Sequence, residues 1–290
     1  MPRYQISHRT SYEYGSPVVQ SNHLLHLAPR EFDHQRVMRH NLIIEPAPAW
    51  RSERVDYFGN PITLISVEDE HSELSVNALS EIEVKAAQQP NFSRSGAWES
   101  VAQQMPSNVA QFACASQLAA PTPALHEFAR PSYPNGAPNL EGARALMERI
   151  FREFRFDNTT TDVSTPVEQV LAQKSGVCQD FAHLMIGSIR SLGLPARYMS
   201  GYILTHPPEG QIKLEGSDAS HAWVSVWDPA AGWVDFDPTN NLVNSPEHIA
   251  IAYGRDFADV SPISGILLGG GKHSVSVAVD VIPVADKQTR

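Results

Sequence analysis

The hydrophobic period of this chain switches twice, and each switch marks a different kind of element. Tyr4, Ile6, His8, Thr10, Tyr12 and Tyr14 recur at every second residue, the spacing that puts side chains on one face of a strand. Alternation continues through "DYFGNPITLISVEDEHSELSVNALSEIEVKA", where Gly59-Asn60-Pro61 separates two β-branched or aromatic runs,. Residues 1–87 are therefore expected to form an antiparallel β module. The stretch 88–138 is rich in Gln, Ser, Asn, Ala and Pro and ends in the breaker cluster "RPSYPNGAPN". It reads as an inter-domain region with short helices.

The period then becomes helical. Leu140, Ala143, Leu146, Met147, Ile150 and Phe154 share one face, which opens a second domain over 139–290. Thr165-Pro166-Val167-Glu168 has the form of a capping box with proline at the first helical position, and Ser175-Gly176 ends that helix,. A further stripe of Phe181, Leu184, Met185, Ile189 and Leu192 is stopped by Gly193 and Pro195,. Period two then returns in "ARYMSGYIL", "HAWVSVW", "WVDFDPT" and "HSVSVAVDVIPV". Helices followed by antiparallel-looking strands indicate an α+β fold, not a doubly wound sheet.

Several function classes are disfavoured by composition. A net charge of −10, without a dense Lys/Arg cluster, argues against nucleic acid and anionic lipid as partners,. No apolar run approaches the roughly 20 residues of a membrane span, and the N-terminus "MPRYQISHRTSYEY" has no continuous apolar core of an export signal,. The chain is expected in the cytoplasm, where Cys114 and Cys178 should both be free thiols. Its 12 histidines show neither Cys-x-x-Cys nor His-Glu-x-x-His spacing, so no metal and no cofactor is expected. Gly269-Gly270-Gly271-Lys272 lacks a glycine five residues before Gly271, where Ile266 stands. It reads as a turn, not a phosphate loop.

Cys178 stands directly after Ser175-Gly176-Val177, at the start of the second apolar helix. Free backbone N–H groups and the positive end of the helix dipole stabilise a thiolate there, and the same N–H groups can donate to an oxyanion. Asp180 suits the dipole but opposes a thiolate, so a base is needed. His183 lies five residues on, about 500° around the helix, and is turned away from the thiol. His221 begins a strand whose alternation places it with Trp223, Ser225 and Trp227,. "DPAAG" connects that strand to the next. A hairpin turn centred on Pro229 sets His221 opposite Asp237 and Trp223 opposite Asp235, and a shift of one position brings Asp235 opposite His221 instead. Either carboxylate would hold the imidazole in one tautomer and stabilise its protonated form.

Helix-start Cys, strand His and neighbouring-strand Asp, in that order, is the layout of the transglutaminase-like and papain-like fold. "GVCQDFAHL", "RYMSGY", "ASHAWVSVW" and "GWVDFDPTN" resemble the successive core motifs of bacterial transglutaminase-like proteins, often described as predicted cysteine proteases. "YQISHRTSYEYGSPV" with "LHLAPR", and the tail from "HIAIAYGRDFADVSPISG" onward, are similar to the regions that accompany these cores. The resemblance implies a papain-like or transglutaminase-like core with helices packed on an antiparallel sheet. It also implies Cys178 as nucleophile, His221 as general base and acid, and Asp237 of the "DPT" motif as the orienting residue.

The function implied is thiol-dependent acyl transfer on peptide or carboxamide bonds of a protein or peptide substrate. With no visible propeptide or calcium loop, hydrolysis by a cysteine peptidase or amidase is favoured over transfer to an amine by a transglutaminase. A peptide N-glycanase-type activity carries little weight, because the zinc-binding cysteines that often flank it are missing. A catalytically silent binding module on the same fold is the alternative from another class. Trp223, Trp227 and Trp233 are candidates for the floor of a cleft, or for core.

Overall fold

The computed structural model describes residues 1–85, 89–205, 218 and 220–284. Five strands come first: β1 (Arg3–Leu25), β2 (Gln35–Glu45), β3 (Trp50–Val55), β4 (Pro61–Val67) and β5 (His71–Val84). Short helices follow, α1 (Trp98–Gln104), α2 (Ser107–Ala110) and α3 (Pro123–Ala129), and then the longer α4 (Asn139–Glu153). The core continues with β6 (Arg155–Phe156), α5 (Val167–Gln173), β7 (Ser175–Gly176), α6 (Cys178–Ser191), β8 (Ala196–Ile203), β9 (Ser220–Asp228), β10 (Gly232–Asp237), β11 (Leu242–Val243) and β12 (His248–Gly254). The last two strands are β13 (Ile263–Gly269) and β14 (His273–Val284). Among the described residues no helix is long and apolar enough to cross a membrane.

The alternating N-terminal strands form an antiparallel sheet in the order β2-β5-β1-β4-β3. At 23 residues β1 outlasts any single partner. Its first half pairs with β5 on one side and β14 on the other, and its second half with β4 and β13. The register with β5 shifts between Glu13 and Val18, and within that gap the Gly15 N–H donates to the Lys272 carbonyl at 2.7 Å. A Cβ on Gly15 would lie 2.8 Å from that oxygen, so the close approach depends on glycine. Opposite it, Gly269, Gly270 and Gly271 all take positive φ, at 103°, 80° and 59°. The glycine run is thus a turn between β13 and β14.

The second sheet has the order β11-β10-β9-β8-β12, antiparallel throughout. On one face lies α6, whose Phe181, Leu184, Met185, Ile186 and Ile189 are buried against Ala222, Val224 and Val226 of β9. Leu125 and Phe128 of α3 join this core, as do Leu140, Leu146 and Ile150 of α4. So do Tyr4, Ile6, Ile82, Val279 and Val281 from the first sheet. The helices of 88–138 are therefore packed structure, and the two sheets share one apolar cluster. This is the mixed α+β architecture of a helix-covered antiparallel sheet.

Two local expectations are corrected. Thr165 does not cap α5; its hydroxyl instead accepts the Asp162 N–H at 2.9 Å, and the helix is ended by Lys174 in the left-handed region at φ 52°. The hairpin of β9 and β10 is also displaced. Asp228 pairs with Gly232, Ser225 with Asp235 and Val224 with Phe236, which centres the turn on Ala230. The cause is a three-residue loop, in which Asp228 Oδ1 accepts the N–H groups of Ala230 and Ala231 at 2.9 and 3.2 Å and Gly232 takes φ 72°,.

Candidate active site

The approach to Cys178 is built from a short parallel bridge. Arg155 N–H donates to the Lys174 carbonyl and Asp157 N–H to that of Gly176, both at 2.9 Å, fixing the segment that leads into α6. Asp180, in the first turn, folds back so that its Oδ2 accepts the Val177 N–H at 2.8 Å and the Thr161 hydroxyl at 2.7 Å. A carboxylate bound to the end of the helix in this way is the acidic half of a capping box. Gly176 is required by it, because a Cβ there would lie 2.6 Å from the same oxygen. Burial raises the Asp180 carboxyl, against the two hydrogen bonds that lower it.

The first intrahelical bond of α6 runs from Phe181 N–H to the Val177 carbonyl. The N–H groups of Cys178 and Gln179 precede it and belong to the free first turn. Cys178 itself is half-buried, whereas Cys114 is exposed; both are free thiols. The structure takes His183 away from the thiol: it is buried against Tyr198, and its Nε2 accepts the Phe257 N–H at 3.2 Å.

His221 meets Asp237. Its Nε2 lies 2.8 Å from Asp237 Oδ2, and interaction with Cys178 adds to the raising of its imidazolium. Because of the displaced register the pair is diagonal and not directly opposite, since Trp223 and not His221 falls across from Asp237. Diagonal neighbours remain within reach of long side chains. The same offset gives Asp235 to Trp223, whose indole N–H donates to its Oδ2 at 3.0 Å. Between the two aspartates that the sequence left open, the structure puts Asp237 on His221.

Asp237 is 1% exposed and saturated with donors. Oδ1 accepts the backbone N–H groups of Thr239 and Asn240 at 2.9 and 3.2 Å. Oδ2 accepts His221, His248 at 2.9 Å and the Asn240 amide at 2.8 Å. Burial opposes the carboxylate, yet the hydrogen bonds from both histidines hold it well below the usual range. Burial likewise pushes the His221 imidazolium down, but hydrogen bonds to Asp237 and Cys178, with the charges of both, outweigh this and raise it to about 10. The arrangement favours the protonated imidazolium of His221,.

His248 and Asn240 were not singled out in the sequence. Asn240 closes the "DPTN" motif three residues after Asp237, a spacing that offers a signal. His248 carries none, because it arrives through β12, which pairs with β8. Gly201 of the "RYMSGY" motif permits that approach: a Cβ there would lie 2.0 Å from the Ile249 carbonyl oxygen and 2.9 Å from the Trp223 ring. The His248 and His221 rings are stacked at 5.7 Å. Nitrogen and oxygen atoms of His221, Asp237 and His248 all lie within 4.8 Å of one another, so the three could in principle hold a metal ion. Both imidazoles converge on one oxygen at hydrogen-bond length, alongside an amide that is a poor metal ligand, which is the geometry of a proton-linked cluster.

Comparison with known proteins agrees with the fold. Residues 4–83 match the model of the bacterial transglutaminase-like N-terminal region and residues 127–238 that of the transglutaminase-like superfamily. An uncharacterized protein of Mycobacterium tuberculosis is 38% identical over 292 residues, spanning 97% of this chain and 93% of that protein. A protein-glutamine gamma-glutamyltransferase of Pseudomonas aeruginosa is 33% identical over 104 residues, which are 33% of this chain and 15% of that protein. Among solved structures, a cysteine-protease candidate from Cytophaga hutchinsonii superposes with a TM-score of 0.77 at 19% identity, covering 99% of this chain and 92% of that one.

Proposed function

From the premise that this chain belongs to the transglutaminase-like superfamily, we propose that it is a thiol-dependent acyl-transfer enzyme acting on peptide or carboxamide bonds, with Cys178, His221 and Asp237 as its triad and water as the acceptor. The observation that carries this reading is the buried His221–Asp237 pair at 2.8 Å, with Cys178 at the start of α6 among the groups that raise the His221 imidazolium. The Cys178 thiolate attacks the carbonyl carbon, and the oxygen takes the charge and is met by the Cys178 and Gln179 N–H groups. The His221 imidazolium gives its proton to the departing amine as the C–N bond breaks, leaving a thioester. Water then gives a proton to His221 and its oxygen to the acyl carbon, and the thiolate leaves.

Transfer to an amine is the second reading, favoured by the likeness over 104 residues to the gamma-glutamyltransferase. The chemistry up to the thioester is common to both. Digestion of a peptide library with and without added primary amines distinguishes them by product mass. New carboxylates alone support hydrolysis; amine adducts that displace them favour transfer. Absence of turnover, with Cys178 alkylated no faster than Cys114, leaves the silent binding module.

A further inference from the structure

A cavity of about 90 Å³ lies beside Trp223, away from α6, with Arg197, Trp233, Asp235 and His248 also in its wall. The Arg197 guanidinium is held between the Trp233 and Tyr253 rings, at 4.3 and 4.0 Å from their centroids. On the far side of Tyr253 stands Arg30 at 4.4 Å, so cations and rings alternate in one stack. Arg30 spends its N–H groups on the Phe58 carbonyl, the Asn60 amide oxygen and the Tyr253 hydroxyl.

Arg197 differs. It is 8% exposed, and among the described residues its guanidinium has neither a hydrogen-bond acceptor nor an ion-pair partner, the buried Nε included. The cross-strand row Arg197, Ser225, Asp235 puts Ser225 between it and the carboxylate, and Asp235 Oδ2 is taken by Trp223. A second buried atom in the same wall is also without a partner, Nδ1 of His248. A buried guanidinium without acceptors is costly, and a charge-assisted bond to an anion removes that cost. Lys85, exposed in the lining, adds a second cation. Among the described residues of the wall Asp235 is the one carboxylate, so fixed charge favours an anion.

We propose that this cavity is a binding site for one small oxyanion of carboxylate or sulfate size, held by Arg197, with Lys85 at the rim. Its volume has room for such an ion or a few waters and excludes a nucleotide or a folded peptide. Binding of the ion does not depend on the catalytic reading of Cys178.

Calorimetric titration of the full chain with sodium sulfate and with sodium acetate, at ionic strength held constant with chloride, tests the site. Saturable one-to-one binding of either ion is expected, weakened about tenfold or more in Arg197→Gln and several-fold in Lys85→Glu. Preference for acetate points to a carboxylate of a larger ligand, and preference for sulfate to a free inorganic ion. In a crystal grown with selenate, the anomalous peak should lie beside Arg197. Lys85 is exposed, so Lys85→Glu keeps the test decisive where Arg197→Gln fails to fold. The proposal is overturned if the parent takes up neither ion saturably, or if Lys85→Glu binds as the parent does and the selenium peak lies elsewhere.

Discussion

His248 donates to Asp237 at 2.9 Å, on the oxygen that His221 also engages. A carboxylate fixed by two buried imidazoles and three further N–H donors cannot rotate, and its lone pair stays aimed at His221. His248 is thereby a positioning residue for the proposed triad. His248→Ala should lower acylation by roughly 10- to 100-fold, the usual cost of removing an outer hydrogen bond from a reactive centre. His248→Gln keeps an N–H donor and should recover part of that loss. Equal losses in both variants, with melts matching the parent, would assign His248 to packing alone.

The thiols give a second prediction. Cys178→Ala should abolish turnover and Cys114→Ser should preserve it. At about pH 6, where an ordinary thiol is almost wholly protonated, iodoacetamide should alkylate Cys178 well ahead of Cys114, although Cys114 is the more exposed. Accessibility alone predicts the reverse order, so the labelling sequence separates activation from exposure. Peptide mapping after timed quenching reads it directly.

The candidate triad was legible in the sequence because each member carries a local signal: Cys178 begins an apolar helix, His221 begins an alternating strand, and Asp237 precedes a proline after the next strand. The register between β9 and β10 was not, since "DPAAG" is compatible with more than one loop length and the Asp228 side-chain bonds decide among them. His248 and the pairing of β13 and β14 with β1 depend on contacts far apart in the chain. Alternation marks a strand but does not name its neighbour.

Asp237 and Asp235 should separate cleanly in mutation. Asp237→Asn should slow acylation by about 10²–10⁴, since an amide neither stabilises the imidazolium nor enforces its tautomer. Asp235→Asn should cost little, because its amide oxygen can still accept the Trp223 indole N–H that Asp235 accepts at 3.0 Å. Single-turnover acylation of both variants checks this. A large loss confined to Asp235→Asn would overturn the assignment of the orienting residue.

Stability should vary with pH in a direction set by the same pair. The folded His221 is raised to about 10 from an ordinary value of 6.5, so the folded state holds its proton more tightly than the unfolded chain does. That contribution is fully present below about pH 6.5 and is lost as pH rises toward about 10. Asp237 is shifted downward, so its contribution is present above the ordinary carboxylate range and is lost in acid. Denaturant midpoints measured from neutral to alkaline pH should therefore fall in the parent and flatten in His221→Gln. An unchanged slope in that variant would assign the alkaline loss to other groups.

Gly176→Ala tests the entry to α6. The added Cβ would lie 2.6 Å from Asp180 Oδ2 and 2.9 Å from its Cβ, so Asp180 must move, and its bonds to the Val177 N–H and the Thr161 hydroxyl are the contacts at risk. Overpacking of this kind costs about 1–3 kcal/mol, and the first turn that carries Cys178 loses its cap. Both a lower melting temperature and slower alkylation of Cys178 are expected. Thr161→Val removes one hydrogen bond to Asp180 without crowding Gly176, and should lower stability less while leaving alkylation near the parent rate. If Gly176→Ala melts lower but reacts at the parent rate, the cap supports the fold without setting the thiol, and the reactivity of Cys178 must then come from His221.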